Sequence, residues 1–274
     1  MLHTPHQPEI THTFAGFHSE KQPTQPRKWS VSTCEPAEVV DRALHALQQA
    51  GVQLIEWRAL LYKRMNVPVI VKDFSYAVPD DELEGASSIL TDIGLIQPPA
   101  SPLLAQTEGD MHNMGRHYLV TTYTTLSSSQ QIILYPLSYT SLQHAELIKS
   151  IPSHITNSRC SSILIPRPSA VYASLIRMML RYPQYCSTRT VLESDISELV
   201  GYHLLSMDDG YADPEDDEEW EELEVDNRSS EALQLVRQWS VDEEWREGEE
   251  WIGDALAAIL NGTGDIGCLP FRSS

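Results

Sequence analysis

The segment Val67–Val78 (VPVIVKDFSYAV) constrains the fold of this chain more than any other stretch. Its β-branched and aromatic residues suit a buried strand, and Pro79 ends it. Upstream, Val39, Val40, Ala43, Leu44 and Leu47 recur at helical spacing. Pro36 suits the first turn of that helix, and Gly51 closes it. Val52–Trp57 then reads as a short strand and Ala59–Arg64 as a brief helical turn. Downstream, Asp80 or Asp81 caps a helix running to Asp92, with Leu83, Ala86, Ile89 and Leu90 on its inner face and Gly94 behind it. Helices and strands that alternate in this way predict an α/β domain with a mixed (α+β) sheet.

Beyond a Pro-rich connection, Gln97–Pro102, the runs Tyr118–Thr125 and Gln131–Leu137 read as strands joined by a hairpin loop, Leu126–Gln130. Ser138–Ser150 reads as a short helix. Further helices are expected over Ser169–Arg181 and Val191–Leu205, then over Ser230–Trp239 and Asp242–Leu260. The implied organisation is a disordered leader over 1–35, an α/β domain with a helical extension over 36–205 and an acidic linker over 206–229. C-terminal helices over 230–260 and a flexible tail over 261–274 complete it.

Charge separates these regions. The chain carries 39 acidic and 19 basic residues, a formal net charge of −20. Between Asp208 and Asp254 stand 20 acids and three bases, so −17 of that charge lies in this window and only −3 elsewhere. Such a balance disfavours a nucleic-acid-binding surface, which needs clustered Lys and Arg, and equally disfavours docking on anionic membranes. The acidic segment Asp208–Asp226, with Trp220, Leu223 and Val225 embedded in it, is a solubilising linker or a site for a basic protein partner. No apolar run approaches the roughly 20 residues of a membrane span, and the N-terminus lacks the apolar core of a signal peptide. Cys34, Cys160, Cys186 and Cys268 lie far apart, as free thiols in a reducing compartment do. A cytoplasmic or nuclear location is expected, and the oligomeric state is left open.

From Val52 to Gly94, the order strand, short helix, acid-bearing strand, helix resembles the core of the nucleotidyltransferase superfamily, which includes polymerase-β-like and aminoglycoside nucleotidyltransferases. Active members carry a small-residue turn after the first strand, two carboxylates at i and i+2 on the second, and a third carboxylate from a later strand. That spacing aims both side chains at one site, where hard divalent cations need closely set oxygens. The resemblance implies that Glu56-Trp57-Arg58-Ala59 stands where the small-residue turn would be. Asp73-Phe74-Ser75 stands where the carboxylate pair would be, and Gln131–Tyr135 supplies no acid. Val67–Asp73, Ile133–Tyr139, Leu164–Pro168 and Ala173–Arg177, in that order, further resemble filamentous-fungal nucleotidyltransferase-like proteins.

The expectation is a catalytically degenerate nucleotidyltransferase-like binding or scaffold module that needs no cofactor. Asp73 is its candidate catalytic or metal residue, and Trp57 and Ser75 are candidate pocket residues. The competing expectation is an active nucleotidyltransferase that uses Mg2+ and a nucleoside triphosphate, with Asp73 and Glu56 among a non-standard carboxylate set. A third is an accessory protein of fungal specialised metabolism, which only the family's setting suggests.

Three other patterns are weaker. Asp110, His112 and His117 form a D-x-H-x4-H spacing that lacks a fourth ligand. Cys186 and His203 lack any orienting sequence. Gly262–Gly267 mimics a dinucleotide-binding glycine pattern but follows a helix rather than a strand.

Overall fold

The structure is a computed structural model, and it describes residues 34–122, 129–207 and 225–269. The expected leader up to residue 33, the acidic segment up to Glu224 and the last residues of the tail lie outside the described residues. The chain is mixed α/β. Its strands are β1 (Ile55–Trp57), β2 (Asp73–Val78), β3 (Arg116–Leu119), β4 (Gln131–Pro136), β5 (Leu147–Ser150) and β6 (Ile163–Pro166). They form one six-stranded sheet in the order β3-β4-β2-β1-β6-β5. β2 runs antiparallel to β1 and parallel to β4, and β1 runs parallel to β6, while β3 and β5 are antiparallel edges.

Register decides which side chains share a face. Trp57 pairs with Ser75, and Asp73, Ser75 and Ala77 pair with Gln131, Ile133 and Tyr135, so these residues project from one side of the sheet. Glu56 pairs with Tyr76, and Phe74, Tyr76 and Val78 pair with Ile132, Leu134 and Pro136 on the other. Each side buries its own core. Beneath the Phe74–Tyr76 face lie α1 (Pro36–Gln49), whose five apolar positions are fully buried, and α3 (Leu83–Asp92) through Ala86 and Leu90. The Trp57–Tyr135 face is covered by α2 (Ala59–Arg64), α5 (Asp110–Asn113), α6 (Leu137–Thr140), α7 (Pro168–Met179) and α8 (Ser187–Glu198). A π-helical turn, Leu199–Leu204, extends α8.

The last helices, α9 (Val225–Val241) and α10 (Trp251–Leu260), pack on the same side. Ala232, Val236, Trp239, Ile252, Leu256 and Leu260 belong to one continuous core with α7 and α8. Their apolar stripes are therefore covered within the chain.

Several sequence expectations shift. Only Asp73–Val78 of the long apolar run joins the sheet. Pro68 has no N–H to give a ladder, and the Val67 and Val69 amides turn back to the Tyr62 and Val67 carbonyls. The strand expected from Tyr118 begins at Arg116 and ends at Leu119, while residues 123–128 of the expected strand and hairpin loop lie outside the described residues. Ser138–Ser150 is one helical turn, a 3-10 turn (His144–Glu146) and edge strand β5, because Leu147–Ser150 finds a ladder with β6. A short helix, α4 (Pro102–Glu108), starts inside the Pro-rich connection, where the Ser101 hydroxyl caps the Leu104 amide. The helix expected over Asp242–Leu260 starts only at Trp251, since Glu243 and Gly248 adopt positive φ.

Candidate functional site

A cleft of about 230 Å³ opens where the N-terminal ends of β2 and α2 meet the end of α4 and the last turn of α8. Asp73, Ser75 and Ile133 line it from the sheet. Arg58, Ala59 and Tyr62 come from α2 and the residue before it, Glu108 from α4, and Asp195 and Glu198 from α8. Val69, Ile70 and Lys72 form its lip. The alternation of β2 puts Asp73 and Ser75 on the same wall, as the i, i+2 spacing predicts.

Two backbone positions shape this cleft. Arg58 precedes α2 with φ 56° and ψ −130°, a conformation that glycine adopts freely and a branched backbone resists. Gly109, at φ 58°, joins α4 to α5, and a Cβ there would collide with the Thr188 hydroxyl. That close approach, fixed by a hydrogen bond from the Asp110 amide to Thr188 Oγ1, brings Glu108 beside α8.

Arg58 and Asp195 form an ion pair across the cleft at 3.7 Å, and the Tyr62 hydroxyl donates to Asp195 Oδ2 at 2.9 Å. Burial alone would weaken the guanidinium's hold on its proton. Asp195 foremost, then Tyr135, Tyr62 and Glu108, more than offset this, so Arg58 stays charged. Burial lifts the Asp195 carboxyl above the usual range, with Arg58 and Tyr62 pulling against it. Burial likewise raises Asp73, against the pull of Lys72 and His117. Glu198 is raised by burial and by its neighbour Asp195. Asp73 Oδ1 is fully covered and has no hydrogen-bond partner. These carboxyl groups crowd one another in a partly dehydrated space. Among the described residues, however, no three His, Cys, Asp or Glu side chains converge closely enough to hold a metal ion.

The remaining sequence candidates lie elsewhere. Glu56, wholly buried, projects from the opposite face of the sheet to Asp73. There it accepts from Arg64 and from the Ser153 hydroxyl. The two acids are not brought together, because adjacent strand positions alternate faces. Trp57, 2 % exposed, packs edge-on against Tyr135 at 4.8 Å inside the core and does not line the cleft. His112 and His117 lie with ring centroids 4.4 Å apart, but His117 is tied to Gln131 Oε1 and the His112 carbonyl, and Asp110 accepts from Tyr182. His203 Nδ1 bonds the Tyr172 hydroxyl. The glycines at 262 and 264 finish α10, where the amides of Thr263 and Gly264 both turn back to the Ala258 carbonyl. All four cysteines are free thiols.

Sequence reading missed Arg58, Tyr62, Glu108, Asp195 and Glu198. Asp195 and Glu198 stand three apart on a helix, which puts them on one face, but that signal is common on solvated helices. Among the described residues no helix is long and apolar enough to cross a membrane. Compared with known proteins, the chain matches no family model and no curated protein.

Proposed function

We propose that this chain is a catalytically degenerate nucleotidyltransferase-like protein that works as a binding module through the cleft at Asp73. The observation that carries this reading is the wall of β2: Asp73 and Ser75 face the same cleft at i and i+2, so one carboxylate stands where two-metal chemistry needs a pair. Glu56 on the opposite face supports it. So does the stretch Glu56-Trp57-Arg58-Ala59, which lacks the small residues that would leave backbone amides open to a phosphate.

The second reading is an active nucleotidyltransferase that draws on the other acids of the cleft, since Glu108, Asp195 and Glu198 lie within it. Calorimetric titration of Mg2+ with each nucleoside triphosphate separates the two. The binding-module reading expects no metal-dependent nucleotide binding. Micromolar, Mg2+-dependent binding that disappears in Asp73→Ala would overturn the degenerate reading.

A further inference from the structure

The cleft at Asp73 has a charge pattern that identifies a class of ligand. Of its six charged side chains, Arg58 and Asp195 neutralise each other. Asp73, Glu108 and Glu198 then face Lys72, which leaves an excess of negative charge in a partly dehydrated space. Glu108 lies within electrostatic reach of Arg58, Asp73 and Asp195, so the acids act on one volume rather than on separate surfaces.

Two polar groups in this wall are unfilled. Asp73 Oδ1 is covered by protein yet accepts no hydrogen bond, which leaves the carboxylate's charge poorly compensated from within the protein. Ser75, 3 % exposed, lines the same wall, and its hydroxyl has no hydrogen-bond partner among the described residues. A divalent cation is a poor occupant, because no three ligating side chains converge among the described residues. Beside the acids, Val69 and Ile70 form an apolar lip, and Ile70 is 93 % exposed. A nitrogen cation that donates in several directions and trails a hydrocarbon chain meets all of these features.

We propose that the cleft binds an aliphatic primary amine, its ammonium group held by Asp73, Ser75 and Glu108 with Glu198 at the rim, and its carbon chain against Val69 and Ile70. This rests on the binding-module reading and names its ligand. An ammonium group donates to the open hydroxyl of Ser75 and offsets the carboxylate excess around Asp73, while Arg58 stays with Asp195 and orders the α2–α8 side of the site.

The test is a ligand-observed NMR titration of the full chain at 0.15 M salt with three probes of equal chain length: pentylamine, pentanol and pentanoate. Pentylamine is expected to bind in the millimolar range, about tenfold or more tighter than pentanol, with no binding of pentanoate. Asp73→Asn and Glu198→Gln should each weaken pentylamine by about tenfold. Glu198 is exposed, so its variant keeps the fold and provides a reading independent of Asp73. Equal binding of pentanol, or no binding of pentylamine, overturns the proposal. So does pentylamine binding that survives both substitutions, which would place the amine outside the cleft. None of these outcomes depends on the nucleotide titration, so a failure here leaves the binding-module reading to its own experiment.

Discussion

Arg246 donates to both carboxylate oxygens of Glu146, at 3.0 and 2.7 Å, across a sequence separation of 100 residues. Arg177 reaches the same carboxylate at 2.8 Å and also holds Glu249, so two arginines and two glutamates bridge α7, the turn before β5 and the segment between α9 and α10. Glu146 is also the acceptor for the Gln143 amide of its own capping box. Burial opposes the charge on Glu146, but the arginines and that amide hold its carboxyl below the usual range.

Replacing Glu146 by Gln should therefore destabilise the protein at pH 7 by roughly 3 kcal/mol, because Arg177 and Arg246 lose a buried counter-charge. A carboxyl held low when folded contributes stability above its unfolded pKa, near 4.5, and that stability drains away as pH falls through the folded value. The gap between wild type and variant in urea denaturation should thus close below about pH 4. A gap that persists at low pH would mean the carboxylate acts through shape rather than charge.

Arg58 gives a prediction about backbone strain. Its positive φ costs about 1–3 kcal/mol in a non-glycine residue, offset by the ion pair with Asp195. Arg58→Ala keeps the strain and loses the pair, whereas Arg58→Gly loses the pair and relieves the strain. The glycine variant should be more stable than the alanine variant by about 1 kcal/mol in chemical denaturation. The reverse order would show that the conformation is not strained.

The parts of this molecule that local pattern determines were legible in the sequence. Pro36, the Val39–Leu47 stripe and Gly51 specify α1 almost to the residue, since periodicity and caps are encoded next to one another. Asp73 and Ser75 share a wall because strand alternation is likewise local. The rest depended on distant pairing. Leu147–Ser150 alternates too weakly to announce a strand, and becomes one only because Ile163–Pro166 lies beside it. Asp195 and Glu198 read as ordinary helix charges until the fold sets them in one cleft with Asp73. The separation of Glu56 from Asp73 needed the register of β1 on β2, which no sequence spacing supplies.

Asp73 carries an energetic signature of a site. Burial raises its carboxyl, so ionisation is disfavoured in the folded state, and the penalty is present at pH values above the unfolded pKa. Asp73→Asn retains an oxygen to accept from the Gln131 amide while removing the charge. The variant should be more stable than wild type at pH 7, with the advantage vanishing as pH drops below about 4. Thermal unfolding across that range tests it, and a variant less stable at pH 7 would show that Lys72 and His117 already compensate the charge.

His154 makes the acid side of the stability profile specific. Its side chain is inaccessible and packed edge-on to Phe74 at 6.5 Å, and neither ring nitrogen has a hydrogen-bond partner. Asp41 Oδ1 stands 3.8 Å from Nε2, but that carboxylate is already engaged by the Ser158 hydroxyl at 2.6 Å and the Arg159 amide at 2.8 Å. Burial pushes the imidazole down to about 4, and Asp41 only partly resists. The unfolded chain takes up this proton near pH 6.5, well before the native protein does. Stability is therefore fully present above about 6.5 and declines as pH falls towards 4. His154→Phe preserves the ring against Phe74 and removes both unpartnered nitrogens. It should gain about 1 kcal/mol at pH 7 and hold a widening advantage over wild type down to pH 4.5 in urea titrations. An advantage that stays constant with pH would place the proton uptake on another residue.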